Sequence, residues 1–86
     1  MRYTVELQRA AERQFDRLSA ELKRSVLCAL RSLEQDPRHP GVRPVRSMPG
    51  SLRMRAGHYR IIYEVDDARR VVSVSRIARR DKAYRD

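Results

Sequence analysis

The sequence has few of the residues from which metal sites and disulfide frameworks are built. It contains one cysteine, Cys28, and two histidines, His39 and His58, among 86 residues. A single cysteine cannot form an internal disulfide, and neither histidine has carboxylates at ligand spacing, so we expect no bound metal ion. The apolar flank of Cys28 predicts a buried side chain, whereas His39 is expected to be a solvated loop residue.

Long apolar runs and the common phosphate-binding and nucleophile motifs are also missing. No apolar stretch approaches the ~20 residues needed to span a bilayer, and residues 1–4 begin no signal-peptide segment. The sequence has no glycine-rich phosphate loop and no Gly-x-Ser-x-Gly motif. We therefore expect a cytoplasmic protein with no membrane association and no small-molecule cofactor.

Basic residues, in contrast, are abundant and unevenly distributed. The net charge is +9, and 18 of the 20 basic side chains are arginine. Residues 1–42 hold 8 basic against 6 acidic side chains, whereas residues 43–86 hold 12 against 5. Because arginine suits bidentate phosphate contacts, the basic C-terminal half indicates a nucleic acid or an acidic protein as partner.

The first 36 residues predict one strand followed by two helices. Residues 2–7 alternate between polar and apolar side chains, and from Gln8 onward apolar side chains recur at helical spacing. Ser19 is a natural N-cap for the second helix, and Asp36-Pro37 should end it. The apolar stripe of this second helix consists of Leu22, Val26, Ala29, Leu30 and Leu33.

The remaining residues predict an irregular connector and three strands. Four prolines and two glycines lie in residues 37–50, whereas residues 52–65 and 71–77 have strand patterns. This order predicts one α+β domain over residues 1–86. We expect two N-terminal helices packed on one face of a small, mainly antiparallel four-stranded sheet.

A hairpin over residues 52–65 carries the main functional signal. If Ala56-Gly57 is its two-residue loop, the opposed pairs are Arg55 with His58, Met54 with Tyr59, and Arg53 with Arg60. Opposed side chains share a face, so the arginines would lie on one face and the apolar residues on the other. Clustered guanidiniums repel one another, and the arrangement therefore predicts a polyanion bound on that face.

Further basic residues and one tyrosine extend this candidate surface. They are Arg43 and Arg46 in the connector, Arg76 in the last strand, and Arg79, Arg80, Lys82 and Tyr84 at or after its end. Guanidiniums bind phosphates and tyrosine stacks on bases, which suits single-stranded RNA or DNA. RNA also carries its own nucleophile, the 2′-OH. Its cleavage needs only a proton acceptor, charge stabilisation and protonation of the leaving 5′ oxygen.

The chain resembles the RelE/ParE superfamily of bacterial type II toxins over essentially its whole length. The resemblance is carried by Tyr3-Thr4-Val5, Phe15-Asp16-Arg17-Leu18, Leu33-x-x-Asp36-Pro37, Arg53-x-Arg55-x-Gly57-x-Tyr59-Arg60-x-x-Tyr63 and Arg79-Arg80-Asp81-Lys82-Ala83-Tyr84-Arg85. It implies a RelE-like fold with a microbial-RNase-like core. It also implies a small acidic antitoxin as the cognate partner.

For the RelE branch, the resemblance implies a metal-independent endoribonuclease that cleaves mRNA in the ribosomal A site and so inhibits translation. Its catalytic positions map onto Arg53, Arg55, Arg60, Arg80 and Tyr84. Arg60 would stabilise the transition-state charge. Arg80 would contact the scissile phosphate or act on the leaving group, and Tyr84 would orient or stack the substrate. The expected RNA-binding residues are Arg43, Arg46, His58, Arg76, Arg79 and Lys82.

One departure from the family leaves two other functions open. Some ribosome-dependent members carry lysines where this chain has Arg53 and Arg55. Arginine keeps its proton and is a poor general base, so His58, Tyr84 or a water would have to take that role. The alternatives are a ParE-like inhibitor of DNA gyrase without nuclease activity, and a non-catalytic nucleic-acid-binding module.

Overall fold

The structure is a computed structural model that describes residues 2–79. Its elements are β1 (Thr4–Leu7), α1 (Arg9–Asp16), α2 (Ala20–Gln35), β2 (Arg43–Pro44), β3 (Leu52–Ala56), β4 (Tyr59–Asp66) and β5 (Val71–Arg79). The strands form one mixed sheet in the order β1-β5-β4-β3-β2, with β1 and β5 parallel and the other pairs antiparallel. Both helices pack on the same face of this sheet. The predicted α+β class and helix layer are therefore confirmed.

The sheet has five strands rather than the predicted four, because the proline-rich connector adds a short edge strand. β2 is two residues long, and Arg43 lies opposite Arg53 while Pro44 lies opposite Leu52. Proline lacks the N–H that a central strand would need and is tolerated at an edge. A two-residue strand shows no periodicity, so the sequence pattern gave no sign of it.

Helix α2 begins and ends where the sequence predicts. The Ser19 hydroxyl accepts a hydrogen bond from the backbone N–H of Leu22 at 3.2 Å, and the helix ends before Asp36. The prediction that Cys28 is buried is wrong, because its side chain is exposed. It lies two positions after the buried Val26, about 200° around the helix and outside the apolar stripe.

Neither helix within residues 2–79 is long and apolar enough to cross a membrane.

The main core fills the space between the helices and the sheet. Its most deeply buried residues are Ala11, Val26, Leu33, Ile61, Tyr63, Val72, Val74 and Ile77. The Tyr63 hydroxyl donates a hydrogen bond to the carbonyl of Pro37 at 2.6 Å, and burial raises the pKa of this hydroxyl. The phenol therefore stays neutral and ties the start of the connector to the central strand.

A β-bulge in β5 keeps its apolar side chains in this core. Tyr63 pairs with Val74 and Ile62 pairs with Arg76, so Ser75 is an extra residue in β5. Under strict two-residue alternation after Val74, position 76 would face the helices and position 77 would face away. With the bulge, Ile77 lies in the main core and Arg76 on the face opposite the helices, which we call the open face.

An exposed carboxylate, Asp67, joins the β4–β5 turn to two distant segments. Its Oδ1 accepts hydrogen bonds from the Tyr3 hydroxyl at 2.7 Å and Arg38 Nη1 at 2.9 Å, and its Oδ2 accepts from Arg38 Nη2 at 3.0 Å. The hydrogen bonds from Arg38, and then from Tyr3, lower the pKa of Asp67 from 3.8 to about 2. This clasp links the N-terminal strand, the turn and the segment after α2.

Replacing Asp67 by asparagine should lower the Tm modestly at neutral pH. The folded-state pKa of Asp67 is depressed, so its contribution is present above about pH 4 and disappears as the pH falls toward 2. Melting curves at low ionic strength should therefore converge for the variant and the wild type at acidic pH. Glu6→Gln is the control, since Glu6 is exposed and makes no ion pair within residues 2–79. A Tm difference that stays constant down to pH 2 would contradict the electrostatic role of the clasp.

Candidate nucleic-acid interface

The β3–β4 hairpin turns through Gly57-His58, not through Ala56-Gly57. Ala56 pairs with Tyr59, and Gly57 has a φ of +62°, as a type II′ turn requires at its first loop residue. The three predicted pairs, including Arg55 with His58, are therefore wrong. The observed pairs are Arg55 with Arg60, Met54 with Ile61, Arg53 with Ile62, and Leu52 with Tyr63.

The register differs from the predicted one by two residues, which leaves each strand side chain on its predicted face. Faces alternate with a period of two, so only an odd displacement exchanges them. Arg53, Arg55 and Arg60 accordingly lie together on the open face. Two more arginines lie on the same face, because Arg43 of β2 pairs with Arg53 and Arg76 of β5 pairs with Ile62. We call the complete set the arginine face: Arg43, Arg53, Arg55, Arg60 and Arg76.

The arginine face consists of two adjacent rows of side chains across the sheet. One row contains Arg43, Arg53, Ile62 and Arg76, and the next contains Arg55, Arg60 and Ala78. Opposed residues of antiparallel strands have Cα atoms only ~4.5–5.5 Å apart, and opposed like charges destabilise a sheet. Anionic groups bound across both rows would relieve this repulsion.

The centre of the open face is apolar, because the loop formed by residues 45–51 packs on it. Ile62 is completely buried beneath Val45 and Met48. Backbone hydrogen bonds close the loop, from Val45 N to Ser51 O at 2.9 Å and from Ser51 N to Met48 O at 3.0 Å. The sequence predicted a purely cationic face. The open face instead contains a small second core, and its arginines surround this core. The same loop carries Arg46, which is exposed.

A cleft of about 460 Å³ opens where the arginine face meets the β3 edge. It is lined by His39, Pro40, Gly41, Arg43, Arg53, Met54 and Arg55. His39 is half-buried rather than solvated, with Nδ1 2.8 Å from Pro40 O and Nε2 3.4 Å from Ser32 Oγ. Three guanidiniums in one cleft can bind a phosphate group through several charge-assisted hydrogen bonds.

Two of the predicted site residues lie away from the arginine face, and three others lie outside the described residues. His58 is exposed in the hairpin turn, at one end of the sheet. Arg79 pairs with Tyr59 and so lies on the face that carries the helices. Arg80, Lys82 and Tyr84 are the three that fall outside residues 2–79.

The open face changes sign along its length. Glu6 pairs with Ser73, and Ser73 pairs with Glu64, so both carboxylates lie beyond the arginine rows. Asp66 follows on the same strand and the same face. The hairpin end of the sheet therefore favours a polyanion more than the other end does, where Arg69 lines the same cleft as the three carboxylates. Within residues 2–79, no cluster of three or more His, Cys, Asp or Glu side chains is arranged to hold a metal ion.

Replacing Arg55 by alanine should weaken binding of a short single-stranded RNA and reduce its salt dependence. Removal of one phosphate interaction makes the slope of log affinity against log salt shallower by about 0.7. Arg24→Ala is the matched control, because Arg24 is an exposed arginine on α2. Anisotropy titrations with 2′-O-methyl RNA, which resists cleavage, would measure both quantities. Equal decreases in affinity for the two variants would contradict a site on the arginine face.

Comparison with known proteins finds similarity to toxins of toxin–antitoxin systems. The family model described as the ParE toxin of the type II toxin-antitoxin system parDE matches residues 2–84. Toxin RelG of Mycobacterium tuberculosis is 30% identical over 86 residues, which cover 99% of this chain and 99% of RelG.

Two solved toxin–antitoxin complexes share the fold. RelBE2 of Mycobacterium tuberculosis gives a TM-score of 0.81 at 26% identity, covering 93% of this chain and 100% of that chain. The archaeal RelE–RelB complex of Pyrococcus horikoshii OT3 gives a TM-score of 0.78 at 25% identity, covering 96% of this chain and 100% of that chain.

Proposed function

We propose that this chain, which belongs to the ParE toxin family of type II toxin–antitoxin systems, is a RelE-type endoribonuclease that cleaves mRNA at the ribosome. The observation that carries the proposal is the arginine face, where five guanidiniums from four strands share one side of the sheet. Such a face suits a substrate with closely spaced phosphates. Single-stranded RNA supplies these and also the nucleophile that the protein's arginines cannot provide.

The proposed reaction needs little covalent chemistry from the protein. The 2′-oxygen forms a bond to phosphorus while the bond from phosphorus to the 5′ oxygen breaks, leaving a 2′,3′-cyclic phosphate and a 5′-OH. Arg53 and Arg55 would hold the phosphates at the cleft, and Arg60 would stabilise the charge that develops on the phosphorane. By resemblance, Arg80 is assigned to the scissile phosphate or the leaving group, and Tyr84 to orienting or stacking the substrate.

The proton of the 2′-OH must pass to another group. Arginine is not deprotonated in proteins, so the arginine face cannot act as the base. His58, Tyr84 or a water remains for this step, and the proton returns to the leaving 5′ oxygen. Rapid cleavage therefore requires one of these groups to reach the 2′-OH bound on the arginine face.

Inhibition of DNA gyrase is the second candidate function, and one observation favours it. The five residues of the arginine face can bind charge but cannot remove a proton, which suits a protein that acts by binding alone. The matching family model is also that of ParE toxins. On this proposal the same surface would engage gyrase or its DNA, and RNA would stay intact.

An antitoxin is the partner we propose for both candidate functions. The solved relatives RelBE2 and RelE–RelB are toxin–antitoxin complexes. In this chain, residues 43–86 hold 12 basic against 5 acidic side chains, so a small acidic protein would neutralise the basic half. Covering the arginine face would block RNA and DNA alike.

Production of the chain without its partner should arrest growth by stopping translation, and Arg60→Ala should abolish the arrest. Loss of one preorganised charge donor typically lowers a rate about 10²–10³-fold. Pulse labelling, mapping of RNA 5′-OH ends and detection of gyrase–DNA cleavage complexes in the same culture would separate the two functions. Arg24→Ala should remain toxic at matched expression.

Circular dichroism would show that the Arg60→Ala protein is folded, and Arg60→Lys would test whether charge alone suffices. DNA synthesis that stops first, with intact mRNA, would favour gyrase inhibition. Full toxicity of folded Arg60→Ala would overturn the assignment of the arginine face.

Capture by the antitoxin should depend on salt mainly through the association rate. Charge complementarity speeds encounter, whereas buried apolar anchors set the lifetime of the complex. Stopped-flow measurements at rising salt should therefore show association slowing more than dissociation accelerates. A stable, non-toxic protein that copurifies with no partner from its native host would count against the toxin assignment.

A further inference from the structure

Strand β5 has a strand neighbour on both sides only in the first half of its length, and beyond that it pairs with β4 alone. β1 pairs with Val71–Val74, and the hydrogen bond from Gln8 N to Val74 O, at 2.8 Å, lies at the end of this pairing. Helix α1 packs against β5, and its Gln14 reaches β5 beyond that point. The backbone N–H of Ile77 is satisfied there by a side chain, because Gln14 Oε1 of α1 accepts its hydrogen bond at 2.7 Å.

Gln14 is a polar residue in the apolar stripe of α1. It follows the fully buried Ala11 by three residues and precedes the half-buried Phe15, and both of these side chains pack in the main core. A half-buried amide in such a stripe needs a hydrogen-bond partner, and the Ile77 N–H provides one. The contact joins residues 63 positions apart and fixes α1 to one backbone group of β5.

The same stretch of β5 contains the bulge. Ser75, the extra residue, donates a hydrogen bond from its hydroxyl to the carbonyl of Ile62 at 3.2 Å. Arg76 lies between Ser75 and Ile77, so side-chain hydrogen bonds hold the backbone on both sides of it. β-Bulges redirect side chains near functional sites, and this one places Arg76 on the open face.

We propose that Gln14 is a positioning residue, which with Ser75 holds the β5 bulge and so keeps Arg76 on the arginine face. Gln14 itself lies on the helix side of the sheet and does not touch the bound polyanion. The contribution to RNA binding rests on the proposed function. The contribution to the geometry of β5 does not.

Two substitutions separate the hydrogen bond from the space that Gln14 fills. In Gln14→Met the new side chain is of similar length but has no strong hydrogen-bond acceptor. In Gln14→Glu a carboxylate oxygen can take the place of Gln14 Oε1 as the acceptor. Hydrogen exchange at the Ile77 amide, followed by NMR without RNA, should be faster in Gln14→Met and near wild type in Gln14→Glu. The Arg76 Nε–H resonance should shift in Gln14→Met only.

A double-mutant cycle tests the functional consequence with the same 2′-O-methyl RNA. Arg76→Ala should weaken binding about tenfold in the wild-type background, as expected for a charge-assisted hydrogen bond to phosphate. It should weaken binding much less in the Gln14→Met background, because Arg76 is already displaced there. Gln14→Glu should restore the wild-type response to Arg76→Ala.

The positioning role would be overturned if the effects of Gln14→Met and Arg76→Ala on RNA affinity were additive. It would also be overturned if hydrogen exchange at the Ile77 amide were the same in Gln14→Met and the wild type. If Gln14→Met does not fold, Ser75→Ala removes the other hydrogen bond at the bulge and is measured in the same way. If even the wild type fails to bind RNA, the proposed function fails. The Ile77 and Arg76 resonances then still decide whether Gln14 holds the bulge.

Discussion

Three consecutive residues of β4, Ile61, Ile62 and Tyr63, are completely buried, although neighbouring side chains of a strand point to opposite faces. Ile61 and Tyr63 are covered by the helices, and Ile62 is covered by the loop of residues 45–51. A one-residue displacement of β4 would bury Arg60 under the helices, at a cost on the order of several kcal/mol for an unpaired charge. The burial of β4 thus determines the face on which Arg60 lies, and through strand pairing it determines the face of Arg53, Arg55 and Arg76.

The two faces of β4 also explain how so many like charges coexist on one side of the sheet. Ile62 separates Arg53 from Arg76 in one row, and Ala78 follows Arg60 in the next. The packing of Val45 on Ile62 removes apolar surface from water and offsets part of the repulsion. Part of the repulsion on the arginine face therefore remains, and phosphates lying across both rows would reduce it.

Much of this arrangement follows from the sequence, and the failures have specific physical causes. Two-residue alternation placed the hairpin arginines on the correct face. The position of the loop was wrong, because it is set by the residue that adopts a positive φ. Gly57 has this φ and occupies the first position of a type II′ turn. The bulge had a visible signal, since apolar residues are spaced by two up to Val74 and then by three to Ile77. Cys28 was misjudged from its neighbours in sequence, whereas its angular position on α2 decides its exposure. The side-chain contacts of His39 follow from no local pattern.

In the proposed reaction the arginine face would supply binding and charge stabilisation, and proton transfer would have to come from another group. Within residues 2–79 the imidazoles are His39 and His58, and both ring nitrogens of His39 already lie within hydrogen-bond distance of protein oxygens. His58 is exposed, but it lies in the hairpin turn beyond the arginine rows. The same five arginines would suit the RNA substrate of a nuclease, and they would also suit a binding inhibitor. What separates the two functions is whether a proton acceptor reaches the 2′-OH of RNA held on this face, since substrate binding alone leaves the chemical barrier unchanged.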